Sequence, residues 1–153
     1  MPGSGGTAVT VAEGSISLPG GYIAIFTTFT FSQAGSLDFT ADWMSSLNDI
    51  DIAVANGACT SDQLSLNQCT FLGVEDSPTL KPEQLTLAIA AASYTPLIAN
   101  YTNPTETIAY RIVFTPPASA WSAEVAALVA EAKAHLRGGP VLVRAREPFR
   151  HRK

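Results

Sequence analysis

The sequence predicts an all-β protein, an antiparallel β-sandwich of the jelly-roll type with a C-terminal helical appendage. Two observations favour this fold class. Apolar and polar residues alternate along several short segments, which is the period of a strand with one buried face. Eleven glycines and ten prolines among 153 residues supply many turns, while only 14% of the residues are charged. A chain of this length can bury one sizeable core.

The alternation is clearest in two neighbouring segments. The run 22–32 has the sequence YIAIFTTFTFS, and the run 36–43 has the sequence SLDFTADW. One side of the first run carries Ile23, Ile25, Phe29 and Phe31, and apolar residues occupy every second position of the second run. The Gln33-Ala34-Gly35 turn between the runs predicts that they pair as a hairpin. Trp43 ends the inward-facing register of the second run, so we expect its ring in the core.

Five further segments have the composition of strands. Turn residues such as Asn56-Gly57 and Asn103-Pro104 separate them. Seven or eight strands at this spacing, with no helical pattern between them, predict a β-sandwich or jelly roll rather than a parallel sheet. The five segments are 49–55, 69–74, 83–90, 94–101 and 106–115.

The composition changes at Pro116-Pro117. Ser122 is the predicted N-cap of a helix that ends before Gly138, and residues 141–146 alternate once more. The apolar positions of the helix form one stripe, which needs an apolar partner on its own sheet or on a neighbouring molecule. The stripe comprises Val125, Leu128, Val129, Ala132 and Leu136.

These patterns divide the chain into three parts. Residues 1–6 are a linker, residues 7–116 are the sandwich domain, and residues 117–153 are the C-terminal helix and a basic tail. The net charge of −4 is unevenly distributed, because seven of the nine basic residues lie in the last 21 positions. An acidic body and a short basic tail without interleaved aromatic residues argue against nucleic-acid binding.

The two cysteines indicate the compartment. Cys59 and Cys69 flank nine mostly polar residues, and a disulfide between them would close a small loop. The alternatives are two free thiols or a metal pair. A disulfide favours an extracellular or periplasmic location. No apolar run is long enough for a membrane span, and Met1 leads into no signal peptide. Either the chain is cytosolic or a leader has been removed, and the predicted disulfide favours a removed leader.

Asp49 and Asp51 form the most distinctive polar pair. On a strand they project from the same face while Ile50 and Ile52 enter the core. Two close carboxylates favour a cation between them, so we predict a calcium site on this pair. Asn48, Asp42 and the Glu75-Asp76 pair are candidate further ligands. The alternatives are that the aspartates cap backbone N–H groups or serve as the acid and base of a glycosidase.

Three tyrosines are candidates for ligand binding. Tyr94, Tyr101 and Tyr110 could form a sugar-stacking platform on one sheet, or they could be ordinary sheet residues. No sequence motif of a hydrolase, zinc protease or nucleotide-binding loop is present, and both histidines lie in the C-terminal part. We therefore expect no enzymatic activity.

The segments between about Thr27 and Phe114 resemble the bacterial pre-peptidase C-terminal domain. The resemblance rests on GSLDFTADW, NDIDIAV, the loop with the two cysteines, KPEQLTLAI and SYTPLIANYT, about 90 of the 153 residues. It implies a jelly-roll-like sandwich in an extracellular setting, without catalysis, with roles in substrate binding, secretion or stabilisation and with calcium in some members. Asp49 and Asp51 are the residues that match the motif of that family.

Two functions follow from these features. The first is a non-catalytic extracellular module that binds a polysaccharide or a protein surface. The second is a subunit of a homo-oligomeric extracellular assembly, in which the basic C-terminal part docks on the acidic sandwich of a neighbour. The predicted oligomer contacts are Val125, Leu128, Val129, Arg144 and Arg146.

Overall fold

The computed structural model describes residues 6–45, 47–75, 81–101, 104–118, 122–137 and 139–144. These residues form ten strands and two helices. The strands are β1 (Val9–Leu18), β2 (Tyr22–Ile25), β3 (Phe29–Thr30), β4 (Gly35–Asp42), β5 (Ile50–Asn56), β6 (Thr70–Glu75), β7 (Glu83–Ile89), β8 (Ser93–Asn100), β9 (Glu106–Thr115) and β10 (Val141–Arg144). The helices are α1 (Ser61–Ser65) and α2 (Ser122–Leu136).

The strands form two antiparallel sheets. Sheet A has the order β1-β9-β4-β7, and sheet B has the order β10-β2-β8-β5-β6, with β3 paired to β8. Without β3 and β10, the remaining eight strands have the connectivity of a jelly roll. The predicted fold class is therefore confirmed.

The core lies between the two sheets. Phe39 from sheet A and Ile52 and Ile98 from sheet B are fully buried there. Aromatic rings also pack within this core, since Phe31 stacks on Phe114 with ring centroids 4.7 Å apart. Trp43 is 6% exposed and belongs to this core, as expected.

A second apolar cluster covers the outer face of sheet B. Ile23, Ala53 and Leu97 are buried on this face, and Cys59 and Leu64 from the loop after β5 pack with them. Sheet B is therefore buried on both faces around β5, whose residues Ile50 to Ala55 are all buried.

The predicted hairpin between 22–32 and 36–43 is wrong. The first run breaks into β2 and β3, which pair with β8 in sheet B, whereas β4 pairs with β7 and β9 in sheet A. The connection through Gly35 crosses from one sheet to the other. Alternation alone identifies a strand but not the sheet that contains it.

Two elements were not predicted. Strand β1 has only partial alternation, and its pairing with β9 shifts register between Thr10 and Ala12. Helix α1 lies in the polar loop between the cysteines. It begins with a capping box in which the Thr60 side chain accepts from the Gln63 N–H and the Gln63 side chain accepts from the Thr60 N–H.

The described C-terminal residues fold back onto their own sandwich. Leu128 and Leu136 of α2 lie in the main core, and β10 extends sheet B by pairing with β2. They are therefore not a separate appendage. The predicted helix is confirmed, while Gly138 lies outside the described residues, as do residues 1–5 of the linker and 145–153 of the tail. No helix in the described ranges is long and apolar enough to cross a membrane.

Candidate functional site

The outer face of sheet A is the main open polar surface of the described sandwich. In β4, Leu37, Phe39 and Ala41 are buried, so Asp38, Thr40 and Asp42 alternate onto the outer face. The register aligns polar residues of the neighbouring strands with them, because Thr40 lies opposite Arg111 and Asp38 lies opposite Thr86. These three strands therefore contribute hydrogen-bonding side chains to the outer side of sheet A, which we call the sheet A face.

A shallow groove of about 590 Å³ lies on this face. Strands β1, β4 and β9 form it, because the register places Glu13 opposite Arg111 and Ser15 opposite Ala109. The groove thus combines carboxylates, hydroxyls and one guanidinium within a few strand spacings. Its lining residues are Glu13, Gly14, Ser15, Thr40, Asp42, Ala109, Tyr110 and Arg111.

Hydrogen bonds fix several of these polar side chains. Arg111 donates from Nε and Nη2 to the Thr10 hydroxyl at 3.3 and 3.2 Å. Asp42 Oδ1 accepts from Lys81 Nζ at 3.0 Å and from the Trp43 N–H at 2.9 Å. A guanidinium has five N–H donors, and a carboxylate has about four lone-pair positions, so both groups retain capacity for a ligand.

Tyr110 lies beneath the groove. Its ring packs edge-on against Phe26 in the core, with centroids 4.9 Å apart. Burial raises the pKa of the Tyr110 hydroxyl above its ordinary value of 10.0. Gly14 lies directly opposite in β1, and a methyl group at Gly14 would be 3.0 Å from the Tyr110 hydroxyl. The glycine thus leaves room for this hydroxyl at the edge of the sheet.

The structure does not bring the three predicted tyrosines onto one surface. Tyr94 is 3% exposed in the core, where its hydroxyl donates to the Ala90 carbonyl and accepts from the Ala90 N–H. Tyr101 packs against the cluster outside sheet B, and Tyr110 belongs to sheet A. The predicted stacking platform is therefore wrong, because β8 is buried on both faces and β9 belongs to the other sheet.

The two aspartates of the predicted calcium site differ in their surroundings. Asp51 is fully buried on the outer side of sheet B, opposite Ala99, while Asp49 is half-buried just before β5. Ile50 and Ile52 enter the core, as expected. Asn48 donates to Glu106, and Asp42 belongs to the other sheet. Within the described residues, no group of three His, Cys, Asp or Glu side chains could hold a metal ion. Asp76 lies outside them, and calcium remains a prediction.

Cys59 and Cys69 form a disulfide, which confirms that prediction. Their surroundings differ from those expected of a polar surface loop. Cys59 is 1% exposed and Cys69 is 8% exposed, because both pack in the cluster outside sheet B together with Leu64. The disulfide thus fastens the loop that covers this face.

The predicted oligomer contacts lie in different places. Leu128 and Val129 are buried in their own core and Val125 packs against it, so this part of the stripe is covered by its own chain. Arg144 is exposed on β10, with its guanidinium 5.3 Å from the centre of the Tyr22 ring. Arg146 lies outside the described residues.

The sheet A face was not predicted from the sequence. The predicted ligand-binding residues were aromatic, whereas this face is formed by Glu13, Ser15, Thr40 and Arg111. The alternation of β4 predicted one residue of this face correctly, because it placed Thr40 on the solvent side of the strand. Glu13 and Ser15 were not predicted on this face, because β1 was not predicted as a strand. Its alternation is interrupted where its pairing with β9 shifts register between Thr10 and Ala12.

No protein-family model matches the chain, and no curated protein matches it. The chain is similar to the solved pre-peptidase C-terminal domain of collagenase from Bacillus anthracis, with 12% identity and a TM-score of 0.50, over 70% of this chain and 88% of that chain. It is also similar to the Yersinia pseudotuberculosis-derived mitogen, with 11% identity and a TM-score of 0.49, over 78% and 93% of the two chains. A carbohydrate binding module from Cellvibrio mixtus lichenase 5A, solved with cellotriose, has 11% identity and a TM-score of 0.40, over 68% and 88%. The chain therefore shares the β-sandwich fold of the pre-peptidase C-terminal domain.

Proposed function

We propose that the protein is a non-catalytic extracellular module that binds a polysaccharide on the sheet A face. The observation that carries this proposal is the contrast between the two outer faces of the sandwich. The sheet A face has an open groove lined by hydroxyl, carboxylate and guanidinium groups, whereas the outer face of sheet B carries an apolar cluster fastened by the disulfide.

The chemistry of the groove favours a polyhydroxylated ligand. Sugar hydroxyls both donate and accept hydrogen bonds, so they need mixed partners at short spacing. Glu13 and Asp42 supply acceptors, Arg111 supplies donors, and Ser15 and Thr40 supply both. The bond from Arg111 to Thr10 fixes the guanidinium before a ligand arrives, which reduces the ordering cost of binding.

A protein partner fits this face less well. Protein interfaces rely on a few large apolar or aromatic anchors that enter desolvated pockets. The large apolar side chains that are exposed lie in loops and on strand edges of the described chain rather than on the sheet A face. They are Met44, Leu47, Leu66, Leu72, Val141 and Leu142.

The absence of catalysis is part of the proposal. Both cysteines are joined in the disulfide, so neither is a free nucleophile. His135 lies on α2, with Nδ1 2.9 Å from the Glu131 carbonyl oxygen, and does not line the groove. The disulfide also supports an oxidising, extracellular or periplasmic location.

Affinity electrophoresis tests the proposal with a panel of soluble neutral glucans, xylans and mannans. We expect at least one polysaccharide to retard the wild-type protein, and Arg111→Ala to weaken that retardation roughly tenfold through loss of a charged hydrogen-bonding group. Arg137→Ala is the matched control, because it removes the same charge from an exposed position just after α2 that does not line the groove. If no polysaccharide retards the protein, or if both variants behave like the wild type, the proposal is wrong.

A further inference from the structure

Sheet B ends in two edge strands that no described strand covers. Strand β10 forms one edge and β6 forms the other. An edge strand presents unpaired backbone N–H and C=O groups to any strand that can align with it. Both edges also expose apolar side chains, since Val141 is 66% exposed on β10 and Leu72 is 36% exposed on β6.

The two edges run in the same direction. Each neighbouring pair in the order β10-β2-β8-β5-β6 is antiparallel, and four such reversals return β6 to the direction of β10. A second copy displaced along the sheet, without being turned over, therefore places its β10 parallel to β6 of the first copy. Parallel strands are a permitted pairing with evenly spaced hydrogen bonds.

One register of this pairing matches the side chains. Val143 lies opposite Ile23, and Val74 lies opposite Ala53, so both valines face the outer side of sheet B. Aligning Val143 with Val74 aligns Arg144 with Glu75 at the ends of the two strands. Leu142 then lies opposite Gly73, where the side chain of Leu87 from β7 occupies the place of a side chain and gives Leu142 an apolar neighbour.

The charges also match in this register. Glu75 ends β6 and Arg144 ends β10, so an acidic residue and a basic residue become cross-strand neighbours. Opposite charges in that position stabilise a pair of strands, and like charges destabilise it. A pairing of β10 with β10 of a second molecule offers no acidic partner within the strand, since its sequence is VLVR.

We propose that β10 of one copy pairs in parallel with β6 of the next copy and so continues sheet B from molecule to molecule. Because the two surfaces are different, the contact is head-to-tail and forms an open row unless rotation closes it. This inference is independent of the proposed polysaccharide binding. The pairing leaves the sheet A face of each copy accessible, so a row would present several grooves to one polymer.

Charge reversal tests the contact by sedimentation velocity over a concentration series. We expect Arg144→Glu and Glu75→Arg each to weaken self-association roughly three- to tenfold, and the double variant to restore it. Circular dichroism checks that each variant is folded. A wild-type protein that stays monomeric at its highest soluble concentration, or a double variant no better than the single ones, would overturn the proposal.

Cysteine cross-linking tests the register separately. Adjacent strands lie about 4.8 Å apart, which is within the Cα separation of a disulfide. Mixing the variants Val143→Cys and Val74→Cys under oxidising conditions should give a mixed dimer faster than mixing Val143→Cys with Thr107→Cys, whose cysteine lies on the sheet A face. Equal rates, or a predominant dimer of Val143→Cys with itself, would contradict the parallel head-to-tail pairing.

Discussion

The ring of Phe114 occupies the space where a side chain at Gly35 would begin. A methyl group at Gly35 would lie 2.5 Å from Phe114 Cε1 and 2.6 Å from the Thr115 carbonyl oxygen. Gly35 is the first residue of β4, where the chain passes from sheet B to sheet A, and Phe114 is fully buried. The crossing between the sheets therefore depends on a residue without a side chain.

Gly35→Ala should destabilise the fold by about 1–3 kcal/mol, because the methyl group forces a packed ring and a backbone carbonyl to move. Gly14→Ala is the matched control, since its nearest neighbour is the tip of the Tyr110 side chain at 3.0 Å. Urea unfolding should give a clearly lower midpoint for Gly35→Ala than for Gly14→Ala. Equal midpoints would contradict this view of the crossing.

Removing the disulfide should lower the free energy of unfolding by about 2–3 kcal/mol, since the closed loop is short. The double variant Cys59→Ala and Cys69→Ala tests this by urea unfolding. The wild type in strong reductant should approach the same midpoint. Because Leu64 packs beside the cysteines, ANS fluorescence of the double variant should also rise. An unchanged midpoint would show that the apolar contacts alone hold the loop.

Stability should fall as the pH rises above 10, in part because of Tyr110. Burial raises the pKa of its hydroxyl, so the folded state keeps the proton at pH values where the unfolded chain has lost it. The unfolded state is then favoured as the pH rises through this range. Urea midpoints measured from pH 8 to pH 11 should fall less steeply for Tyr110→Phe than for the wild type. Parallel curves would contradict the assignment.

The predicted calcium site at Asp49 and Asp51 can be tested by thermal unfolding. Calcium that binds only the folded state raises the Tm. We expect the Tm of chelator-treated protein to rise in millimolar calcium, and we expect Asp49→Asn to abolish the rise. Magnesium at the same concentration controls for ionic strength. An equal Tm in chelator and in calcium would exclude a structural site on this pair.

The sequence predicted the strands better than their partners. Strand β4 alternates cleanly and was identified within a residue of its bounds, and the apolar stripe of α2 was recognised through Leu128 and Leu136. The predicted pairing of β4 was wrong, because a jelly roll pairs strands that are far apart in the sequence. Local periodicity does not carry that information.

The candidate site was harder to predict for a related reason. The sheet A face combines β1, β4 and β9, and Glu13 meets Arg111 only through the register of two strands nearly a hundred residues apart in the sequence. Tyrosine rings were predicted to stack on sugars, but Tyr94 is buried and is therefore not on the surface. The Cys59–Cys69 pair was predictable because a short separation brings the two residues together without knowledge of the sheets.

The burial of sheet B on both faces bears on how the molecule opens to solvent. Strand β5 lies between β8 and β6, with the main core on one side and the cluster around Cys59 on the other. Water can reach its backbone only when both apolar layers come apart. The amide hydrogens of β5 should therefore be among the slowest in the chain to exchange with deuterium, and their exchange should report unfolding of the whole molecule.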